Sequence, residues 1–155
     1  MFAIRPFQAT DAEYEALVAL GTAVWPDYPS TVEEAKHRDN TRDPQHLFQR
    51  LVVTINDEIV ASCLYCEPWW ALKPGKYYLD IKVHPDHRRQ GIGTACYNLA
   101  LEKLAPLDPT VITADTRDDQ SDALRFLEKR DFKRVMRFPT SLLDVQNFDP
   151  APFFP

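Results

Sequence analysis

Residues 88–93 read Arg-Arg-Gln-Gly-Ile-Gly and hold two of the chain's four glycines. A strand-like run, KYYLDIKV, precedes them. A run with apolar residues on a wide helical face (Ile92, Ala95, Cys96, Leu99, Leu104) follows. A turn so placed has a physical use. The first amides of a helix lack internal partners and point outward, and the helix dipole adds partial positive charge there. Gly91 and Gly93 remove the Cβ atoms that would hold an anion off the backbone, while Arg88 and Arg89 add fixed charge. The pattern suits a phosphate or pyrophosphate; it equally suits a glycine turn that only lets helix pack on strand. Two familiar phosphate loops do not fit. No Gly-x-x-x-x-Gly-Lys-Ser/Thr occurs, and Cys96 stands where a dinucleotide fingerprint needs its third glycine.

Other reactive side chains are poorly arranged for chemistry. Cys63-Leu-Tyr-Cys66 has the spacing of a metal or redox pair, yet the chain's one further cysteine is Cys96. Zinc sites usually need more such ligands, and on a strand residues three apart point to opposite faces. His84-Pro-Asp-His87 reads as a polar turn. Trp69-Trp70 either lines a pocket or covers a sheet edge, since aromatics bring area and shape.

The elements that must carry the turn follow from patterning. FAIRPF is a short opening strand. Thr10 to Glu13 spells a capping box, and Leu17, Leu20 and Val24 continue at helical spacing until Pro26. Ser30 to Glu33 spells a second box, opening a polar helix that ends before Pro44. LFQRLVVTI and EIVASCLYC flank Asn56-Asp57, a hairpin signal without its usual glycine. Residues 77–84 and the β-branched TVITADT are further strands. Ser121 caps a helix reaching Arg130, with Ala123, Phe126 and Leu127 on one face. FKRVMRF and SLLDVQNF are expected as two closing strands, with the basic residues 129–137 on a solvated face. The order is β-α-α-β-β-β-α-β-α-β-β, an α/β protein with a mixed central sheet of about seven strands and helices on both faces.

At 155 residues, without repeat or linker, one domain over 1–155 is expected, with 149–155 as a tail or truncated linker. The net charge of −5 argues against a general nucleic-acid or acidic-membrane surface. No apolar run is long enough to span a bilayer, and MFAIRPFQAT lacks the character of an export signal. A cytoplasmic protein with reduced cysteines is expected. Phe148, Phe153 and Phe154 stand among prolines. They are expected to be buried on their own domain or on a partner chain, which leaves a homodimer open.

LDIKVHPDHRRQGIGTACYNLALEKL, together with ALRFLEKRDF, resembles the GNAT family of acetyl-CoA-dependent N-acyltransferases. That family's signature, [RQ]-x-x-G-x-[GA] after a V-x-P strand end, appears as Arg88 to Gly93 after Val83-His84-Pro85. The resemblance covers essentially the whole element order and implies acetyl-CoA as acyl donor, with no metal. It implies that the backbone of Ile81, Lys82 and Val83 holds the pantetheine arm like an extra strand. Arg88, Arg89, Gln90, Gly91, Ile92, Gly93 and Thr94 would then surround the pyrophosphate. It also implies that the strands equivalent to 77–84 and 110–116 splay around the thioester.

The family's reaction, attack of an amine on the acetyl thioester, needs a neutral amine, a stabilised oxyanion and a protonated leaving thiol. A backbone amide near Val83 can serve the oxyanion. For the base, Asp115 occupies the place where ribosomal-protein acetyltransferases of the family carry a glutamate. Asp80 lies on the neighbouring strand, on the face opposite Leu79, Ile81 and Val83. Either can instead be a structural acid. The family often has N-x-x-A-x-x-x-Y in the next helix. Aligned on Ala123, this chain has Gln120 at the asparagine, which adds it to the coenzyme A contacts, and Leu127 at the tyrosine. Leucine donates no proton, and Asp131 replaces the usual glycine. A thiol of pKa ~8.5 leaves nearly unaided. The resemblance thus implies acetyl transfer to a primary amine of a small molecule or peptide, the alternative being a non-catalytic coenzyme-A-binding module with a regulatory or assembly role.

Overall fold

The hairpin at Asn56-Asp57 sets the register of the sheet. In the computed structural model, which describes residues 1–153, these two residues take positive φ of 49° and 67°. A two-residue type I′ turn needs that pair of left-handed conformations, and Asn and Asp tolerate them without glycine's freedom. The turn joins β2 (Phe48–Ile55) to β3 (Glu58–Cys66). β1 (Ala3–Pro6) pairs antiparallel with β2, and β4 (Lys76–Val83) pairs antiparallel with β3. β5 (Val111–Thr113) lies parallel to β4. The sheet therefore has five strands in the order β1-β2-β3-β4-β5, among the described residues.

Helices cover both faces. α3 (Ile92–Leu104) puts Ile92, Cys96, Ala100 and Leu104, four residues apart, into one buried cluster with Leu51, Val53, Cys63 and Leu79. That spacing places all four on one stripe of the helix. On the opposite face lie α1 (Asp11–Val24) and α2 (Val32–Asn40). Arg50 of β2 donates to both carboxylate oxygens of Asp39 on α2, at 2.6 and 3.2 Å, and the Tyr14 hydroxyl donates to the same carboxylate at 2.9 Å. Two helices and a strand are thereby tied through one half-buried acid.

The caps differ in detail from the sequence patterns. Thr10 does accept from the Glu13 amide, at 3.3 Å. The Glu13 carboxylate, however, takes the Gln8 amide and the Arg5 guanidinium rather than reaching back to Thr10. The second box sits one residue later than expected, on Thr31 and Glu34, where both reciprocal bonds form. Thr-Val-Glu-Glu meets the same spacing as Ser-Thr-Val-Glu, so the motif alone did not choose between them.

Gly75 aligns the starts of β4 and β5. Its carbonyl accepts from the amides of Thr110 and Val111, at 2.8 and 3.1 Å. Its φ is +73°, and a Cβ there would lie 2.8 Å from the Thr110 hydroxyl oxygen. Gly75→Ala is expected to cost about 1–2 kcal/mol, from left-handed strain plus crowding. Thermal unfolding should show a midpoint lower by several degrees; an unchanged midpoint would mean that the turn relaxes freely.

The chain gathers into two compact units that meet in sequence between Asp115 and Thr116. The second contains α4 (Ser121–Glu128). The two closing strands expected over 132–148 do not form: that stretch has neither helix nor strand. Val135, Met136, Phe138, Leu142, Leu143 and Val145 are exposed. Alternating apolar and basic residues specify a side-chain pattern, but a strand also needs a ladder partner. Here Arg134 and Arg137 pair instead with Asp118. The tail residues Ala151–Phe153 form a short 3-10 turn. Phe154 lies outside the described residues.

Candidate active site

The β4–α3 turn is shaped by two left-handed residues, Arg89 at φ 64° and Gly91 at φ 82°. Gly91 is the N-cap of α3, and no side chain caps that helix. Nothing lies within 4 Å of the point where a Gly91 Cβ would sit, so the turn's outer side is open. Ile92 is fully buried and anchors the helix start. Arg88 braces the turn from behind, donating from Nε to the Val83 carbonyl at 3.3 Å. Gln90 reaches the Asp86 carbonyl at 3.5 Å. Arg89, Gln90 and Gly91 are exposed. An uncapped helix start, a cation beside it and an open approach are the features that an anion would need at residues 89–94.

β4 outruns its parallel neighbour beside this turn. Pairing of β4 with β5 ends at Tyr78 opposite Thr113, while β4 runs on to Val83. The amide of His84 donates to Val60 of β3 at 2.9 Å. Since bonding direction alternates along an antiparallel strand, the even-numbered residues turn their backbone groups to β3. Lys82 is therefore committed to β3, opposite Ser62. This corrects the expectation that its backbone joins Ile81 and Val83 in holding an extended ligand. Ile81 and Val83 turn theirs to the side that β5 has left, and there the Val83 carbonyl accepts Arg88.

On the helix α1 side of β4, the polar positions 76, 78, 80 and 82 share one face. Asp80 forms an ion pair with Lys82. Asp115, just past β5, is exposed. Tyr78, half-buried on the same face as Asp80, feels the charge of both Asp80 and Asp115. Burial first, and the negative charge of Asp80 and Asp115 next, push its hydroxyl far above the ordinary tyrosine range. It stays a neutral donor. The ring of Tyr78 packs edge-on against Trp70, with centroids 5.1 Å apart, and Trp70 packs edge-on against Trp69 at 4.4 Å. Tyr78 was not picked out in the sequence. Its period-two relation to Asp80 was the available signal.

Cys63 and Cys66 do fall on opposite faces. Cys63 lies in the α3-side cluster with its thiol toward the Cys96 carbonyl at 3.7 Å. Cys66 is paired in register with Tyr78 on the other face, and burial pushes its thiol up to about 11. No group of three potential metal ligands occurs among the described residues.

Gln120 and Leu127 belong to the second unit. Gln120 is the N-cap of α4 and its side chain makes no cap bond; Leu127 lies within that helix, half-buried. Asp131 takes φ 61° just past the helix. It thus adopts the left-handed conformation for which a glycine is the usual residue, one that aspartate also visits.

A mixed sheet whose fourth strand outruns its fifth, beside a glycine turn and an uncapped helix start, defines a fold class, and the comparisons agree. The model of the acetyltransferase (GNAT) family matches residues 10–132. The chain belongs to that family. No curated protein matches the sequence. Among solved structures, the ribosomal-protein-S18-alanine N-acetyltransferase of Escherichia coli is similar, with 18% identity and a TM-score of 0.66 over 88% of this chain and 80% of that one. An aminoglycoside acetyltransferase from an uncultured soil metagenomic sample has 19% identity and a TM-score of 0.69, over 92% and 97% of the two chains. A tandem GNAT protein from the clavulanic acid biosynthesis pathway has 22% identity and a TM-score of 0.67 over 83% of this chain and 43% of its own. These likenesses establish the fold. No helix among the described residues is long and apolar enough to cross a membrane.

Proposed function

We propose that this protein transfers the acetyl group of acetyl-CoA to a primary amine of a small molecule or peptide. The observation that carries the reading is the stretch of β4 left without β5 beyond Tyr78 and Thr113, followed in the chain by the uncapped start of α3 at Gly91. The amides of residues 89–94 and the Arg89 guanidinium hold the pyrophosphate. Ile81 and Val83 receive the pantetheine arm as an added strand. The Val83 amide, on the open side of β4, donates to the carbonyl oxygen as negative charge develops there. Asp115 takes the proton that frees the amine for attack. A C–N bond then forms, the C–S bond breaks, and the thiolate takes up the second proton shed by the attacking nitrogen, passed through water. Asp80 is the weaker candidate, because Lys82 already engages its carboxylate.

A rival reading, a coenzyme-A-binding module without catalysis, draws on Leu127 at the family's tyrosine position. Thiol release from acetyl-CoA in the presence of varied primary amines separates the two. Release above spontaneous hydrolysis with any amine is the expected result. Coenzyme A binding by calorimetry without release would support the rival.

A further inference from the structure

We infer that the acceptor is a monoamine carrying a flat apolar body, held by an aromatic platform of Trp69, Trp70 and Tyr78 with its ammonium at Asp115. The inference rests on the acetyl-transfer reading for the identity of the site, and adds the class of acceptor. Trp69 and Trp70 remain 64% and 53% exposed although they pack on one another. An edge-on pair so exposed has apolar surface open to a ligand, and such surface normally marks a contact site. The platform leads toward the chemistry, since Trp70 packs on Tyr78, and Tyr78 shares the face of Asp80 and lies within the electrostatic reach of Asp115.

Charge selects against other amines. Of the two acids here, Asp80 is matched by Lys82, so Asp115 is the carboxylate left to meet a cation. Lys76 lies two residues before Tyr78 on the same strand, hence on the same face, and Lys73 lies in the preceding loop. A polycation would gain one anion and meet two cations. A small aliphatic amine would leave the indole surface wet. One ammonium at the end of an aryl group satisfies both ends: the ring lies on the indoles, and the charge sits by Asp115 and over neighbouring π faces.

The test compares phenethylamine, ethylamine and spermidine as acceptors, and titrates phenethylamine into the protein alone while following intrinsic tryptophan fluorescence. Phenethylamine is expected to exceed the other two in kcat/KM by at least about tenfold. It should also give a saturable fluorescence change. Trp70→Ala should lower kcat/KM for phenethylamine by about tenfold, mainly through KM, and Trp70→Phe should recover most of it. Trp70 is exposed enough for truncation to spare the fold, and the fluorescence titration needs no turnover. Equal kcat/KM for the three amines, or wild-type KM for phenethylamine in Trp70→Ala, would overturn the inference while leaving acetyl transfer intact. Saturable phenethylamine binding that Trp70→Ala abolishes, with no acetyl transfer to any amine, would uphold the amine site and overturn the transferase reading.

Discussion

Gly91→Val weakens coenzyme A binding by about a hundredfold or more and leaves a folded protein, as calorimetry and thermal unfolding should record. Two effects act at this residue, and they are separable. The first is backbone strain. At φ 82° a β-branched residue sits in a region that L side chains rarely adopt, which costs about 1–3 kcal/mol of stability. The second is obstruction. Nothing lies within 4 Å of the added Cβ, so the side chain projects into the open side of the turn, where the proposed pyrophosphate would approach the backbone. A loss of about 2.7 kcal/mol in binding corresponds to the hundredfold change. Ile92, buried under the turn, holds the helix start in place in the variant. Strain thus appears in the melting midpoint and obstruction in the affinity. Unchanged affinity would remove the turn from the binding site.

The second large effect belongs to Asp115. Asp115→Asn keeps the shape of the side chain and removes its capacity to take a proton. An amine acceptor is mostly an ammonium at neutral pH, so the loss of its base should lower kcat by about 10²–10⁴-fold there. Raising the pH supplies free amine without help from the protein, and part of the loss should disappear. The recovery is the informative part, since a merely structural defect would not vanish with pH. Asp80→Asn should have the smaller effect, because the carboxylate it alters is already paired with Lys82. The pH–rate profiles of both variants with one reactive amine decide the matter. Full activity at every pH in both would mean that the base lies elsewhere or that the acceptor loses its proton to water.

The elements around the turn were legible in the chain because their causes are local. Gly91 can take φ 82° because it lacks a Cβ, and Asn56-Asp57 form a tight hairpin because both tolerate left-handed φ. The stripe Ile92, Cys96, Ala100 and Leu104 faces inward because a helix repeats about every four residues. The segment 132–148 shows the limit of such reasoning. Its alternation matches a strand, but pairing is decided by a partner distant in sequence, and here its arginines find Asp118 instead. The site shows the same division. Asp80 and Asp115 could be named from the sequence, as could the tryptophans. Which acid is paired with a lysine was set in three dimensions, and the commitment of the Lys82 backbone to β3 was set by register. Only the tertiary structure brings Tyr78 within electrostatic reach of Asp115 and packs it on Trp70. Contacts between separate strands and loops depend on where the sheet places them, and spacing along the chain carries no record of that distance.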